Sequence, residues 1–214
     1  MRKLTLLLGI SVFLISCQED KSEKVKTEEA KPVPQVQSEG KFKVAESEIM
    51  WKGYKPTGSH YGSVQLKEGF FAVKDNQLTG GKFVVDMTTI EDLDMPKDDP
   101  YNQKLVSHLK SDDFFYVEKF PVATFEITSV KPDEGDKFLI EGNLAIRDSV
   151  KSITFPAQVT IKDNELNFVS DTIKIDRTEF GIKYKSKKFF DNLKDKFIND
   201  LFDLSVKLKA TKEK

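Results

Sequence analysis

The chain has 214 residues and carries 34 basic and 35 acidic side chains, so it is close to neutral. No basic bias or nucleic-acid motif is present, which argues against a nucleic-acid-binding role. The single cysteine excludes an intramolecular disulfide, and 38% hydrophobic residues are enough for a folded core.

The first 17 residues have the features of an export signal. Arg2 and Lys3 precede an apolar run from Leu4 to Ile15. This run is shorter than the about 20 residues that cross a bilayer, and it is typical of a secretory signal. Its end, Leu-Ile-Ser-Cys, resembles a bacterial lipobox, whose cysteine is lipidated before cleavage. We predict a signal peptide at 1–16, lipidation at Cys17, and an exported chain anchored to the cell envelope, on the periplasmic face or the outer membrane. The alternative is an ordinary signal peptide with an incidental thiol.

Residues 17–40 are predicted to be the lipidated cysteine and a disordered tether. Ten of the 22 residues between Gln18 and Glu39 are charged, none is aromatic, and Pro32 and Pro34 interrupt the rest. Such a composition buries too little apolar area to offset the entropy lost on ordering.

Residues 41–214 are predicted to form one all-β domain. Apolar and polar residues alternate with period two in several segments, as in antiparallel strands with one buried face. The clearest segments are 138–147, 153–161 and 204–211, and turn signals stand at 74–77, 131–137 and 162–165. About eight strands result, and closing them into a barrel would remove exposed edges.

Two segments break this alternation. The sequence DPYNQKLVSHLKS predicts a short helix, with Asp99 as N-cap and Pro100 at its first position. The segment 187–197 is predicted to be a second short helical or irregular insertion.

The order of the motifs resembles the YceI-like family. The segments that carry the resemblance are SEIMWKGYKPTGSHYGSVQLKEG (47–69), LTGGKFVVDMTTIE (78–91), KLVSHLKSDDFFYVEKFPVATFEITSV (104–130), IEGNLAIRDSVKSITFPAQV (140–159) and DRTEFGI (176–182). The resemblance implies an extended, eight-stranded, lipocalin-like antiparallel barrel that binds a polyisoprenoid, a quinone precursor or a fatty amphiphile, for transport, storage or sequestration. It implies no catalytic residue and no cofactor besides this apolar ligand. A homodimer is left open.

The expected cavity is apolar along its length and polar at one mouth. Sixteen phenylalanines and one tryptophan fall in the domain, and the basic residues near 177–188 could meet a head group or an anionic membrane. We expect the cavity or its mouth to include Trp51, His60, Phe83, Leu105, His108, Leu109, Phe114, Phe115, Phe125, Arg177, Phe180, Lys183 and Tyr184.

The two histidines are the main alternative to a binding function. His60 and His108 could approach each other in the fold, which would favour a periplasmic redox enzyme or another envelope enzyme. No H-x-H or H-x3-H spacing supports a metal, and Ser59 lies in no G-x-S-x-G elbow. The sequence therefore favours structural histidines, with His108 bonded to a backbone carbonyl, and no metal site. A structural lipoprotein without a ligand is the third interpretation.

The lipid anchor gives the first testable prediction. Replacing Cys17 by serine removes the acylated atom, so the protein should leave the membrane fraction and appear folded in the soluble fraction. Fractionation followed by circular dichroism measures both properties. A Cys17→Ser protein that still sediments with membranes would show that the anchor is assigned wrongly.

Overall fold

The computed structural model describes residues 24–35 and 39–213, and β-strands dominate them. The strands are β1 (Thr27–Glu29), β2 (Gly40–Lys55), β3 (Gly58–Lys74), β4 (Gln77–Asp92), β5 (Val122–Pro132), β6 (Lys137–Ile146), β7 (Ser149–Lys162), β8 (Glu165–Ser170), β9 (Ile173–Asp176) and β10 (Leu201–Lys212). One α-helix, α1 (Pro100–Lys110), and two short 3-10 helices, Arg177–Phe180 and Lys194–Lys196, complete the elements. The predicted signal sequence and Cys17 lie outside the described residues.

Eight of these strands form a closed antiparallel barrel, as the sequence predicts. Their hydrogen-bonded order is β7-β6-β5-β4-β3-β2-β10-β8, and β8 also pairs with β7. Two further strands lie beside this ring: β9 pairs with β10, and β1 pairs with β7. Closure satisfies the backbone groups that an open sheet would expose at its edges.

The predicted turns connect the strands where short polar sequences interrupt the alternation. Asp75 and Asn76 join β3 to β4 with positive φ angles of 50° and 57°, the backbone that a two-residue hairpin requires and that Asp and Asn tolerate. Asp163, with φ of 54°, has the same role between β7 and β8.

Helix α1 begins and ends as its sequence predicts. The Asp99 side chain accepts a hydrogen bond from Tyr101 N at 2.8 Å, and Pro100 occupies the first turn. The second predicted insertion is mostly turns, with only Lys194–Lys196 in a 3-10 helix. Across residues 24–35 and 39–213, no helix has both the length and the apolar character needed to cross a bilayer.

A cluster of phenylalanines fills the half of the barrel next to the β3–β4 hairpin. Phe71 packs on Phe83 and Phe168 with ring centroids 4.8 and 5.5 Å apart. Phe125 continues the cluster, at 6.5 Å from Phe83 and 5.6 Å from Phe155. Within residues 24–35 and 39–213, these aromatic side chains therefore fill one end of the interior of the barrel.

The segment 24–35 is an ordered part of the fold, so the prediction of a disordered tether is wrong for these residues. Strand β8 ends at Ser170, so of β7 it reaches only the second half, residues 157–162. Residues 24–29 cover the other half, since β1 pairs with residues 151–153 and Lys24 bridges to Lys174 of β9. Val25 is buried in the core. The hydrogen-bonding groups left by the short β8 explain why so polar a segment becomes ordered.

Asp176 ties this segment to the loop that follows β9. The carboxylate is 2% exposed; one oxygen accepts from Thr178 N and Oγ1, and the other accepts from Lys24 Nζ at 2.9 Å and Lys188 Nζ at 2.6 Å. Burial raises the pKa of Asp176, but the hydrogen bonds from Lys188, Thr178 and Lys24 outweigh it and hold the pKa well below its ordinary value.

The network makes the stability depend on pH in acid. Because the pKa of Asp176 is lowered in the folded state, its contribution is complete above the unfolded value of about 3.9 and is lost as the pH falls below it. Asp176→Asn should lower the free energy of unfolding at pH 7 by about 1.5–3 kcal/mol and should weaken the dependence on pH below about 4. Urea denaturation between pH 7 and pH 2.5 measures both effects.

The matched control is Asp171→Asn. Asp171 also accepts from a lysine, Lys137, but both side chains are more than 40% exposed, and exposed pairs contribute about 0–1 kcal/mol. Equal losses in the two variants would show that the Asp176 network does not stabilise the fold in this way.

Candidate functional site

An apolar cavity of about 280 Å³ occupies the half of the barrel opposite the phenylalanine cluster. Strands β2 to β6 and β10 form its wall together with α1 and the turn after it. The apolar residues of the wall are Ile49, Trp51, Val64, Val85, Met87, Ile90, Leu105, Leu109, Phe114, Phe115, Ala123, Leu144, Ile146, Ile182, Ile198, Leu201, Phe202 and Leu204.

The wall follows from the two periodicities of the sequence. Pairs two residues apart, such as Val85 and Met87 or Leu144 and Ile146, point to the same face of a strand and therefore both reach the cavity. Leu105 and Leu109, four residues apart, lie on one face of α1 and cover the end of the barrel.

Phe114 and Phe115 follow α1 and complete this cover. Both line the cavity, and Arg147 Nη1 donates to Phe114 O at 3.0 Å, which fixes the turn against the β6–β7 connection. The segment HLKSDDFF thus packs against the cavity at the end of the barrel.

Gly62 allows Trp51 and β4 to approach β3 closely. A Cβ at Gly62 would lie 1.9 Å from Glu91 O and 2.7 Å from Trp51 Cζ2, so no other residue fits without a backbone shift. The Trp51 ring crosses β3 here and donates from Nε1 to Ser63 O at 3.3 Å. Glycine at this position therefore places an aromatic wall beside the cavity and fixes the end of β4.

The polar residues of the wall gather near the β2–β3 turn. Lys55 and His60 flank this turn, and Asn199 N donates to Tyr54 O at 2.9 Å, which holds the start of β10 beside it. This polar edge of the cavity is called the mouth below. Neither Lys55 nor Asn199 belongs to the set of residues predicted from the sequence to line the cavity.

Arg177 touches the cavity but is not available for a head group. It is 4% exposed, and its guanidinium donates to the carbonyls of Asn199, Ile182 and Ile198 at 2.8–3.0 Å and contacts the Asp200 carboxylate at 3.3 Å. The expectation that Arg177 meets a ligand head group is therefore corrected: its donors hold the 177–200 loop closed.

Seven of the residues that the sequence analysis expected contribute to the wall: Trp51, His60, Leu105, Leu109, Phe114, Phe115 and Arg177. The other six lie outside it. Phe83 and Phe125 belong to the phenylalanine cluster, and Phe180 is fully buried. Lys183 lies over the Phe189 ring, at 4.8 Å from its centroid, and the rings of Tyr184 and His108 pack edge to face with centroids 4.6 Å apart.

The two histidines contact different carboxylates. His108 Nε2 lies 3.1 Å from Asp113 Oδ2, so this ring nitrogen is satisfied by an acid and not by the expected backbone carbonyl. His60 Nδ1 lies 3.0 Å from Asp94 Oδ2. The structure therefore does not form the paired-histidine centre that the enzyme interpretation requires.

His60 takes part in a polar cluster at the mouth. Lys55 Nζ lies 3.1 Å from His60 Nε2; because an ammonium can only donate, Nε2 accepts and the proton of a neutral imidazole lies on Nδ1, facing Asp94. Tyr61 N donates to the other oxygen of Asp94 at 2.9 Å.

Asp92 is the buried member of this cluster. Its Oδ1 accepts from Met95 N at 3.0 Å and from Asn102 Nδ2 at 3.2 Å, while no hydrogen-bond donor among the described residues reaches Oδ2. Burial and the nearby Asp94 carboxyl raise the pKa of Asp92 to about 6. Burial also raises the pKa of Asp94, but interactions with Asp92, Tyr61 N–H and His60 outweigh it and leave that pKa lowered.

Comparison with known proteins identifies the family. The model of the YceI-like domain matches residues 35–210. A UPF0312 protein of Yersinia pestis is 31% identical over 132 residues, which are 61% of this chain and 62% of that protein. Protein YceI of Salmonella arizonae is 33% identical over 99 residues, 46% of this chain and 48% of that protein. The chain thus matches less than two thirds of the length of these relatives.

Solved structures share the fold at low sequence identity. A polyisoprenoid-binding domain from Saccharophagus degradans has a TM-score of 0.60 at 11% identity, covering 81% of this chain and 98% of that domain. BcnA of Burkholderia cenocepacia has a TM-score of 0.58 at 19% identity, covering 77% of this chain and 96% of its own. The solved structures show that the fold is shared, and the family model, which matches residues 35–210, shows that this chain belongs to the YceI-like family.

Proposed function

We propose that the protein binds a long, apolar, lipid-like ligand in the cavity beneath α1 and carries or sequesters it at the cell envelope. The observation that carries this proposal is the distribution of polarity: the wall is apolar on every strand and on α1, and Lys55, His60 and Asn199 gather at the mouth. This arrangement fits a molecule with an apolar tail and a small polar head.

The energetics favour an occupied cavity. Without a ligand, water that enters through the mouth keeps the apolar wall hydrated, so the gain of about 25 cal/mol per Å² of buried apolar surface is not realised. A tail that buries about 300 Å² of apolar surface would gain roughly 7 kcal/mol before association costs. The cavity is therefore best explained as a site that a ligand fills.

The phenylalanine cluster limits the length of tail that the barrel can enclose. The volume lies near the lower end of the range of ligand pockets, about 300–1,000 Å³. The ligand class that we propose is a polyisoprenoid, a quinone precursor or a fatty amphiphile whose tail end meets the cluster and whose head lies at the mouth. The related domain from Saccharophagus degradans is described as polyisoprenoid-binding, which supports this class.

A lipid anchor at Cys17 would hold the mouth close to a membrane. The first described residue, Lys24, bonds to Asp176 beside the 177–200 loop, at the end of the barrel where the cavity lies. Cys17 lies seven positions earlier in the chain, and seven extended residue steps span about 25 Å at most. The loop presents Phe189 and Phe190, which are 47% and 48% exposed, among several lysines. We propose that this surface rests on the anionic membrane from which the ligand enters.

The proposal predicts that filling the cavity abolishes binding. Ala123 lines the cavity and is 8% exposed, so Ala123→Phe should displace an apolar tail at a stability cost of about 1–3 kcal/mol. Native mass spectrometry of protein purified from membranes should find a bound lipid in the natural chain and at least tenfold less in the variant.

Val122→Phe is the matched control, since Val122 precedes Ala123 on β5 and is exposed. It should retain the lipid. Unchanged lipid in a folded Ala123→Phe protein would place the ligand elsewhere, and protein that carries no lipid in either form would favour a structural lipoprotein.

The membrane surface gives a separate prediction. Without the anchor the Cys17→Ser protein keeps only weak contact with membranes, too weak to hold it in the membrane fraction, and a high concentration of phosphatidylglycerol vesicles is needed to measure it. In this background Phe189→Ser with Phe190→Ser should weaken vesicle binding by at least tenfold, because two half-exposed phenylalanines no longer enter the interface. The control Leu139→Ser removes an exposed apolar side chain near the opposite end of the barrel. Equal binding by the control and the double variant in vesicle co-sedimentation would contradict the proposed orientation.

A further inference from the structure

We propose that His60, Asp92 and Asp94 form a binding site for one divalent transition-metal ion, best matched by Zn²⁺, at the mouth of the cavity. Each residue offers one ligand atom, and the three atoms lie within 4.8 Å of one another. The residues come from the start of β3 and the end of β4, which antiparallel pairing brings together. This site is independent of the apolar wall that would hold a lipid tail.

The distances suit a small tetrahedral ion. Zn²⁺ binds nitrogen and oxygen ligands at about 2.0–2.2 Å, so two ligands of a tetrahedron lie about 3.4 Å apart. His60 Nδ1 is 3.0 Å from Asp94 Oδ2 and 4.0 Å from Asp92 Oδ2. These two distances bracket the required value, and the two carboxylate oxygens also lie within 4.8 Å of each other.

The unpaired oxygen of Asp92 is the observation that points to a cation. The Asp92 side chain is completely buried, and its Oδ2 accepts no hydrogen bond within the described part of the chain. A buried carboxylate oxygen without a donor is costly and needs an explanation. It faces His60 and the second carboxylate, Asp94, where a divalent ion would supply the missing positive charge.

The neighbouring donors leave the ligand atoms directed at one point. Met95 N and Asn102 Nδ2 hold Oδ1 of Asp92, and Tyr61 N holds Oδ1 of Asp94. In both acids the other oxygen therefore faces His60. Hydrogen bonds of this kind orient metal ligands in proteins.

The ligand types select among metals. One imidazole and two carboxylates suit Zn²⁺, whereas Mg²⁺ and Ca²⁺ prefer oxygen ligands alone. Metal binding at Nδ1 moves the imidazole proton to Nε2, so Lys55, which is exposed, must release Nε2. Three protein ligands leave a fourth position, and His60 is part of the cavity wall, so the open position is near the mouth.

The test measures Zn²⁺ binding to the purified, chelator-treated protein by isothermal titration calorimetry, with Mg²⁺ and Ca²⁺ as comparison ions. We expect one Zn²⁺ per chain and no saturable binding of the other two ions. His60→Gln and Asp94→Asn should each weaken Zn²⁺ binding at least tenfold. His108→Gln is the matched control, since His108 faces only one carboxylate, Asp113, and it should bind Zn²⁺ as the natural protein does.

A second measurement does not depend on variants that fold. In NMR spectra of the natural protein, Zn²⁺ should shift the imidazole signals of His60 and leave those of His108 in place. The proposal is overturned if no stoichiometric Zn²⁺ binds, if folded His60→Gln or Asp94→Asn protein binds as tightly as the natural chain, or if the His108 signals respond instead.

Discussion

The closure of the barrel by its N-terminal segment is the constraint on which the fold of the end opposite the phenylalanine cluster depends. Strand β8 has six residues and covers only half the length of β7. Residues 24–29 fill the remaining gap between β7 and β9, with Val25 in the core and Lys24 bonded to Asp176. The wall beside the phenylalanine cluster is thus made by the barrel strands alone. At the other end residues 24–29 complete the barrel between β7 and β9, although the cavity wall itself is formed by β2 to β6, β10 and α1.

Local patterns were sufficient to predict most of the fold. Alternation with period two predicted β6, β7 and β10 most clearly, Asp75-Asn76 and Asp163 marked hairpins, and Asp99-Pro100 marked the start of α1, because each of these signals acts over a few residues. The order of the 24–35 segment could not be predicted in this way. Its composition is that of a disordered chain, and it becomes ordered only because distant strands leave hydrogen-bonding groups for it.

The polar cluster was missed for a related reason. At the β3–β4 turn Lys74 pairs with Gln77, and a regular hairpin would then place His60 opposite Glu91. Irregularities in the two strands shift the offset by three residues, so that Gly62 pairs with Asp92 and His60 faces Asp94. Bulges depend on how the whole sheet curves, so their positions cannot be predicted from a short stretch of sequence. The spacing of His60 and His108 along the chain does not indicate which acids lie beside His60 either. The nearest available signal was the density of acids in IEDLD (90–94), which spans the end of β4 and the residues after it.

Departures from close packing and from complete hydrogen bonding lie at the same end of the molecule. The phenylalanine half has interlocked rings, whereas the other half has an apolar cavity, an unpaired oxygen on the buried Asp92, and exposed Phe189 and Phe190. Each feature costs stability or solubility by itself, and natural proteins concentrate such costs where they function. A barrel that served only as a structural domain could fill the cavity with larger side chains at Ala123 or Val64 without any change of fold. That it remains open beneath α1, beside a cluster suited to a cation and a surface suited to a membrane, is the physical argument for a ligand that enters at this end.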